Sequence, residues 1–119
     1  MGESLSVPEP TIEVRSPQPN TALVELGGEH DLYSADSLRE TLDMSLYVSD
    51  HLIVDLSGAE FIDSTIIGVL MRTLAKATEL DRRFTVVVGP APAVKRILEV
   101  TGVFPLLNVA PTVERALAA

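Results

Sequence analysis

The most constraining feature of the chain is residues 53–70, where a short apolar run leads through polar residues into a second apolar pattern. Residues 52–56 are apolar except for Asp55, and such a run is typical of a strand covered on both faces of a sheet. The Ser57 and Gly58 that follow favour a turn. Further on, apolar residues recur at the i, i+3, i+4 and i+7 spacing of an amphipathic helix, at Ile67, Leu70, Met71 and Leu74. The stretch therefore predicts a buried strand that leads into a helix.

The first residues of this predicted helix are polar, namely Asp63, Ser64 and Thr65. Ser64 lies at or next to the predicted N-cap, where its hydroxyl oxygen can accept a hydrogen bond from a free backbone N–H. A phosphate on the same hydroxyl would lie in the positive end of the helix dipole. Because Ser is among the most frequent N-cap residues, local chemistry alone favours a structural cap. A phosphorylation switch is the alternative, and Thr65 is the second choice for it.

The rest of the chain alternates between strand and helix patterns. Strands are predicted as a hairpin at residues 11–15 and 21–26, and later at 84–88 and 106–109. Helices are predicted at residues 33–46 with Ser34 as the cap, at 92–101, and from Pro111 onward. Alternating strands and helices with short links predict an α/β fold with a mixed, mostly parallel sheet of four to five strands and about four helices.

The length of 119 residues predicts one domain. Residues 1–10 contain Glu, Ser and two prolines but few apolar side chains, which predicts a flexible N-terminal tail. Residues 11–119 are then the folded domain.

Charge and composition exclude several classes of function. The net charge of −8 opposes contact with a phosphate backbone, and only 4% of residues are aromatic, so direct nucleic-acid binding is not expected. The chain has no apolar run near the roughly 20 residues of a membrane helix, so no membrane insertion is expected. The chain has no cysteine and no export signal, which makes the cytoplasm the expected location.

The acidic and histidine residues are the candidate ligands or catalytic groups of the chain. Asp31, Asp55 and Asp63 lie near the ends of predicted strands, where open α/β sheets bind ligands, so a metal site or a receiver-like phosphotransfer site is one interpretation. The chain lacks the consecutive acidic pair of a receiver domain, which weighs against it. His30 and His51 are far apart in sequence, so each is expected at the surface or in a turn rather than in a metal site.

Three motifs together resemble a known family. Asp-Leu-Ser-Gly at 55–58 and Phe-Ile-Asp-Ser-Thr at 61–65 resemble the signature of the STAS domain in the form found in bacterial anti-sigma factor antagonists. Residues 24–31 resemble the second strand of that family with its Gly-Glu-x-Asp end, and residues 97–104 resemble its third helix and the following turn. The resemblance covers the chain after the tail. One residue departs from it, because Ile66 stands where the family usually has Gly.

The resemblance implies a protein-binding module rather than an enzyme, and it implies no cofactor. Unphosphorylated, such an antagonist binds an anti-sigma factor of the serine kinase type. Phosphorylation of the residue matching Ser64 releases it, and a cognate phosphatase restores it. Asp63 and Asp31 are the implied neighbours of the switch. A STAS subunit of a larger assembly, such as a lipid transporter or a stress-sensing complex, is the alternative within the family, and a weak homodimer is left open.

The second helix also carries a predicted contact surface. If Ile67 and Leu70 face the sheet, a flank of the helix carries Ile66, Val69, Arg72 and Thr73. Apolar residues beside a charge predict a partner-binding patch there. Burial against a neighbouring helix is the alternative. A β-branched Ile almost never adopts positive φ, so we expect ordinary helical geometry at residue 66.

Overall fold

The computed structural model describes residues 9–118, which form five strands and four α-helices. The strands are β1 (Thr11–Arg15), β2 (Thr21–His30), β3 (His51–Ile62), β4 (Arg83–Val87) and β5 (Val109–Ala110). The helices are α1 (Leu32–Val48), α2 (Ser64–Glu79), α3 (Pro92–Val100) and α4 (Val113–Ala118), with a 3-10 turn at Phe104–Leu106. Of the predicted tail, only Glu9 and Pro10 lie within the described residues.

The five strands form one sheet whose order follows the chain, β1-β2-β3-β4-β5. β1 pairs with β2 in antiparallel orientation, and every other neighbouring pair is parallel. This arrangement confirms the predicted α/β fold with a mixed, mostly parallel sheet.

The two faces of the sheet bury cores of different size, because alternate residues of a strand point to opposite faces. On β3, Leu52, Val54 and Leu56 belong to a large cluster with apolar residues of α1, α2 and α3. Ile53 belongs to a small cluster on the other face, where Ala116 of α4 packs. The terminal helix therefore closes the back of the sheet, while α1–α3 bury the main core.

The strands β2 and β3 are longer than the sequence pattern indicates. The predicted turn at Ser57 and Gly58 is wrong, because β3 continues through these residues to Ile62. Parallel pairing to β2 continues with them, with Gly27 opposite Gly58, and two register shifts absorb the extra residues of β3. A Cβ atom on Gly58 would lie 3.1 Å from the carbonyl oxygen of Leu26, so Gly lets the two backbones approach here.

Other boundaries also differ from the predictions, and α4 begins at Val113 rather than at Pro111. α1 begins at Leu32, and its N-cap is Asp31 rather than Ser34. The predicted last strand at residues 106–109 is shifted to Val109–Ala110, because the 3-10 turn occupies the segment before it.

The expectation that both histidines lie at the surface or in turns is wrong. His30 is fully buried at the end of β2, and His51 is buried at the start of β3. The His51 Nε2 atom lies 2.8 Å from the Thr85 hydroxyl oxygen on β4. Burial, together with the positive charge of Arg83, lowers the pKa of His51 because both disfavour the imidazolium form.

Candidate functional site

The pairing of β2 with β3 brings two strand-to-helix junctions together. His30 is the residue opposite Ile62, and each is the last residue of its strand. The next residues, Asp31 and Asp63, therefore leave the sheet side by side at its carboxyl end. Each is the N-cap of the helix that follows, so the amino ends of α1 and α2 lie next to each other.

At the second junction, the carboxylate of Asp63 caps α2. Its Oδ1 atom accepts hydrogen bonds from the backbone N–H of Thr65 at 2.9 Å and of Ile66 at 3.2 Å. Ser64 is therefore the first residue of the helix and not its cap. Its side chain is exposed, and its hydroxyl has no hydrogen-bond partner among residues 9–118. The cap leaves this hydroxyl available for chemistry without loss of a structural bond.

At the first junction, two large apolar residues are exposed directly after the N-cap. Leu32 is 65% exposed and Tyr33 is 91% exposed. Phe61 on β3, opposite Glu29 of β2, is 41% exposed at the same end of the sheet. Leu32, Tyr33 and Phe61 are thus exposed apolar side chains next to the two junctions. None of them is among the predicted site residues, although apolar residues at N1 and N2 after an N-cap Asp indicate outward-facing side chains.

The charge of the two junctions has one sign. Residues 29–36 and 60–67 contain five acidic residues and no Lys or Arg, and the acids are Glu29, Asp31, Asp36, Glu60 and Asp63. Neither segment therefore supplies a cation to pair with a phosphate on Ser64.

The predicted partner patch on α2 is wrong, because three of its four residues are buried. Ile66 and Thr73 are 0% exposed and Val69 is 8% exposed. They lie in the interior because α1 packs against this side of α2. Ile66 lies in the first turn of a regular helix, as expected, but its side chain is buried in the core instead of adding to a surface.

Arg72, the fourth residue of that patch, is half-exposed but paired. Its guanidinium donates to both carboxylate oxygens of Asp43 on α1, at 3.0 and 3.3 Å, and Lys76 lies 3.4 Å from the same carboxylate. Burial raises the pKa of Asp43, but the hydrogen bonds and charges of Arg72 and Lys76 outweigh it, so the pKa lies below its usual value. The cluster ties α1 to α2.

Asp55 does not join Asp31 and Asp63. It lies opposite Glu25 in the middle of the sheet, and its Oδ1 atom accepts hydrogen bonds from the backbone N–H and the hydroxyl of Ser57. Within residues 9–118, no group of three or more His, Cys, Asp or Glu side chains is placed to hold a metal ion. The helices in this part of the chain are all too short or too polar to cross a membrane.

Comparison with known proteins gives one consistent family. The STAS domain model matches residues 12–116. The anti-sigma-B factor antagonist of Staphylococcus aureus (strain NCTC 8325 / PS 47) is 30% identical over 87 residues, which cover 72% of this chain and 80% of that protein. The protein of the same name from Staphylococcus epidermidis is 29% identical over 87 residues, with the same shares covered.

Solved structures have the same fold. An anti-sigma factor antagonist from Mycobacterium paratuberculosis superposes with a TM-score of 0.82 at 27% identity, covering 92% of each chain. The anti-sigma factor antagonist SpoIIAA in its unphosphorylated form gives a TM-score of 0.76 at 19% identity, covering 90% of this chain and 93% of that one. Its phosphorylated form, described as a Bacillus cell fate determinant, gives 0.71 at 18% identity, covering 91% and 97%.

Proposed function

The chain belongs to the STAS domain family, and we propose that it is an anti-sigma factor antagonist that acts in the cytoplasm by partner switching. Unphosphorylated, it binds an anti-sigma factor of the serine kinase type, so that the sigma factor is freed and transcription changes indirectly. The kinase phosphorylates Ser64, the complex separates, and a cognate phosphatase restores the binding form.

The observation that carries this proposal is the exposed, unbonded hydroxyl of Ser64 beside the capping carboxylate of Asp63. A kinase must reach the hydroxyl oxygen without unfolding the helix. Because Asp63 already satisfies the N–H groups of Thr65 and Ile66, Ser64 is free to be modified. Thr65 is half-buried, which makes it the poorer acceptor.

A phosphate on Ser64 would act on the complex rather than on the fold. Within the domain, the positive end of α2 favours the phosphate by ~0.3–1 kcal/mol. At a protein interface the phosphate adds about −1.5 to −2 charges that must be desolvated beside acidic residues. A loss of only ~3 kcal/mol in binding free energy weakens an interaction more than a hundredfold.

Without phosphate, the site presents exposed apolar side chains among acidic residues. A complementary partner surface is therefore apolar at its centre and basic around it. Exposed aromatic side chains such as Tyr33 are frequent anchors of protein interfaces, where they enter a pocket on the partner. The acidic residues of the two junctions favour a partner with a basic rim around that pocket. Phosphorylation of Ser64 adds negative charge to the same acidic end of the molecule that presents Leu32 and Tyr33. Binding and release therefore use the same surface.

The test is phosphorylation by the anti-sigma factor kinase of the same organism with ATP, followed by phosphopeptide mapping. We expect one phosphate on Ser64, none on the Ser64→Ala variant, and an unchanged yield on the control variant Thr65→Ala. Phosphorylated protein should bind the kinase at least about a hundredfold more weakly than unmodified protein. Absence of binding and phosphorylation by any anti-sigma factor of the organism would favour a subunit of a larger assembly. Label retained in Ser64→Ala would assign the site to Thr65.

A further inference from the structure

His30 makes hydrogen bonds with both ring nitrogens in the interior of the protein. Its Nε2 atom lies 3.1 Å from the carbonyl oxygen of Thr11 on β1 and 3.0 Å from that of Gly27 on β2. Its Nδ1 atom lies 3.0 Å from the hydroxyl oxygen of Ser34 on α1. The ring therefore contacts the edge strand β1, the part of β2 beside the register shifts and the first turn of α1 at once.

The partners determine the protonation of the neutral ring. Carbonyl oxygens only accept hydrogen bonds, so Nε2 carries the proton, and Nδ1 is the acceptor at 3.0 Å from the Ser34 hydroxyl, whose second acceptor is the carbonyl oxygen of Asp31 at 3.3 Å. The Ser34 oxygen in turn accepts the backbone N–H of Asp31 at 3.3 Å, which closes the capping box of α1. A continuous series of hydrogen bonds therefore runs from β1 through His30 to the N-cap of α1.

We propose that His30 is a positioning residue for partner binding, which holds the first turn of α1 so that Leu32 and Tyr33 face the partner. The inference rests on the proposed function, since the partner is the anti-sigma factor. A polar ring at a fully buried position is costly unless its hydrogen bonds are made, and an aliphatic side chain could fill the space without that requirement. What only the imidazole supplies is the link between the sheet and Ser34.

Two amide variants separate the hydrogen bonds made by Nε2 from the hydrogen bond made by Nδ1. The side-chain amide of Asn reaches the position of Nδ1, so His30→Asn can accept from Ser34 but cannot reach the carbonyl groups of Thr11 and Gly27. The longer amide of Gln reaches the position of Nε2, so His30→Gln can donate to those carbonyl groups but breaks the link from the sheet to Ser34, whose hydroxyl keeps only the carbonyl oxygen of Asp31 as an acceptor. Both variants remove the ring and keep a buried amide, but Asn leaves the larger cavity, so binding is compared on the folded fraction of each variant.

The first measurement is the affinity of each folded, unphosphorylated variant for the anti-sigma factor. We expect His30→Asn to bind within about threefold of the wild type, and His30→Gln to bind at least about tenfold more weakly. Leu98→Ala, on the buried face of α3, is the control for destabilisation outside the two junctions, and its folded fraction should bind like the wild type. Equal affinities of the Asn and Gln variants, or a matching loss in Leu98→Ala, would overturn the proposal.

The second measurement needs no partner. Hydrogen exchange of the Asp31 and Tyr33 amides reports the first turn of α1 directly, since the Tyr33 N–H donates to Asp31 Oδ1 at 2.9 Å. We expect exchange at least about tenfold faster in His30→Gln than in His30→Asn, with α2 amides unchanged. If the two variants differ in exchange but the wild type does not bind an anti-sigma factor, the proposed function is refuted and the structural role of His30 is not. Equal exchange in the two variants would refute the role of His30 itself.

Discussion

The two junctions at the carboxyl end of the sheet have the same N-cap residue but opposite patterns of polar and apolar residues in the first helical turn. Each helix follows an Asp N-cap, but α1 continues with Leu, Tyr and Ser, while α2 continues with Ser, Thr and Ile. In α1 the apolar pair at N1 and N2 is exposed and the hydroxyl of Ser34 at N3 is buried. In α2 the hydroxyl of Ser64 at N1 is exposed and Ile66 at N3 is buried.

The comparison shows that the inward-facing N3 position and the outward-facing N1 position have separate roles at each junction. The N3 side chain points inward at both helices, so a Ser there is committed to the capping box and an Ile there to the core. The N1 position points outward at both, so Leu32 is available for apolar contact and Ser64 for modification. In the proposed mechanism, the first junction supplies apolar side chains for partner contact and the second supplies the hydroxyl that is phosphorylated.

The strongest test of this comparison is at the N3 position of α2. Ile66→Ala should lower the free energy of unfolding by about 2–5 kcal/mol, because it removes buried methyl groups between α1 and α2. Urea denaturation measures it, with Ile66→Val as the matched control at about 0.5–1.5 kcal/mol. If Ile66→Ala kept wild-type stability and lost only partner affinity, Ile66 would be a surface residue after all.

The N3 position of α1 should give the next largest effect. Ser34→Ala removes the hydrogen-bond partner of His30 Nδ1 and of the Asp31 N–H, so it should cost about 1–3 kcal/mol. Ser45→Ala, at another buried position of the same helix, is the control, since its hydroxyl only bonds the Thr41 carbonyl one turn earlier. Equal costs for the two variants by urea denaturation would contradict a special role for the capping box.

The cap of the second junction comes third. Asp63→Ala leaves the N–H groups of Thr65 and Ile66 without their acceptor, and we expect a loss of about 0.5–2 kcal/mol. Asp63→Asn keeps an oxygen in place and should cost only a few tenths. Thermal melts of both variants test this, and a harmless Asp63→Ala would return the capping role to Ser64.

The smallest effect is expected at the exposed hydroxyl itself. Ser64→Ala removes no hydrogen bond within residues 9–118, so stability should stay within about 0.5 kcal/mol of the wild type. The same variant should keep its affinity for the anti-sigma factor. A loss above about 1 kcal/mol in a denaturant titration would mean that Ser64 carries a structural bond.

The sequence pattern predicted the elements that depend on local spacing. The helix start at Ser64, the apolar stripe of α2 and the alternation of strands and helices all follow from residues close together in the chain. The turn predicted at Ser57 and Gly58 does not form, because pairing with Gly27 on another strand overrides the local turn preference. The burial of Ile66 and His30 depends on α1 and β1, which local spacing does not report.

The match between strand order and chain order has a consequence for how the protein is made. Each new strand pairs with the strand synthesised just before it, so the sheet can extend from one edge as the chain leaves the ribosome. β1, β2 and β3 with the two helices at their carboxyl ends are complete by Glu79, before β4, β5 and α4 exist. The end of the sheet that carries Asp31, Asp63 and Ser64 is therefore assembled early, and α4 covers the back of the sheet later.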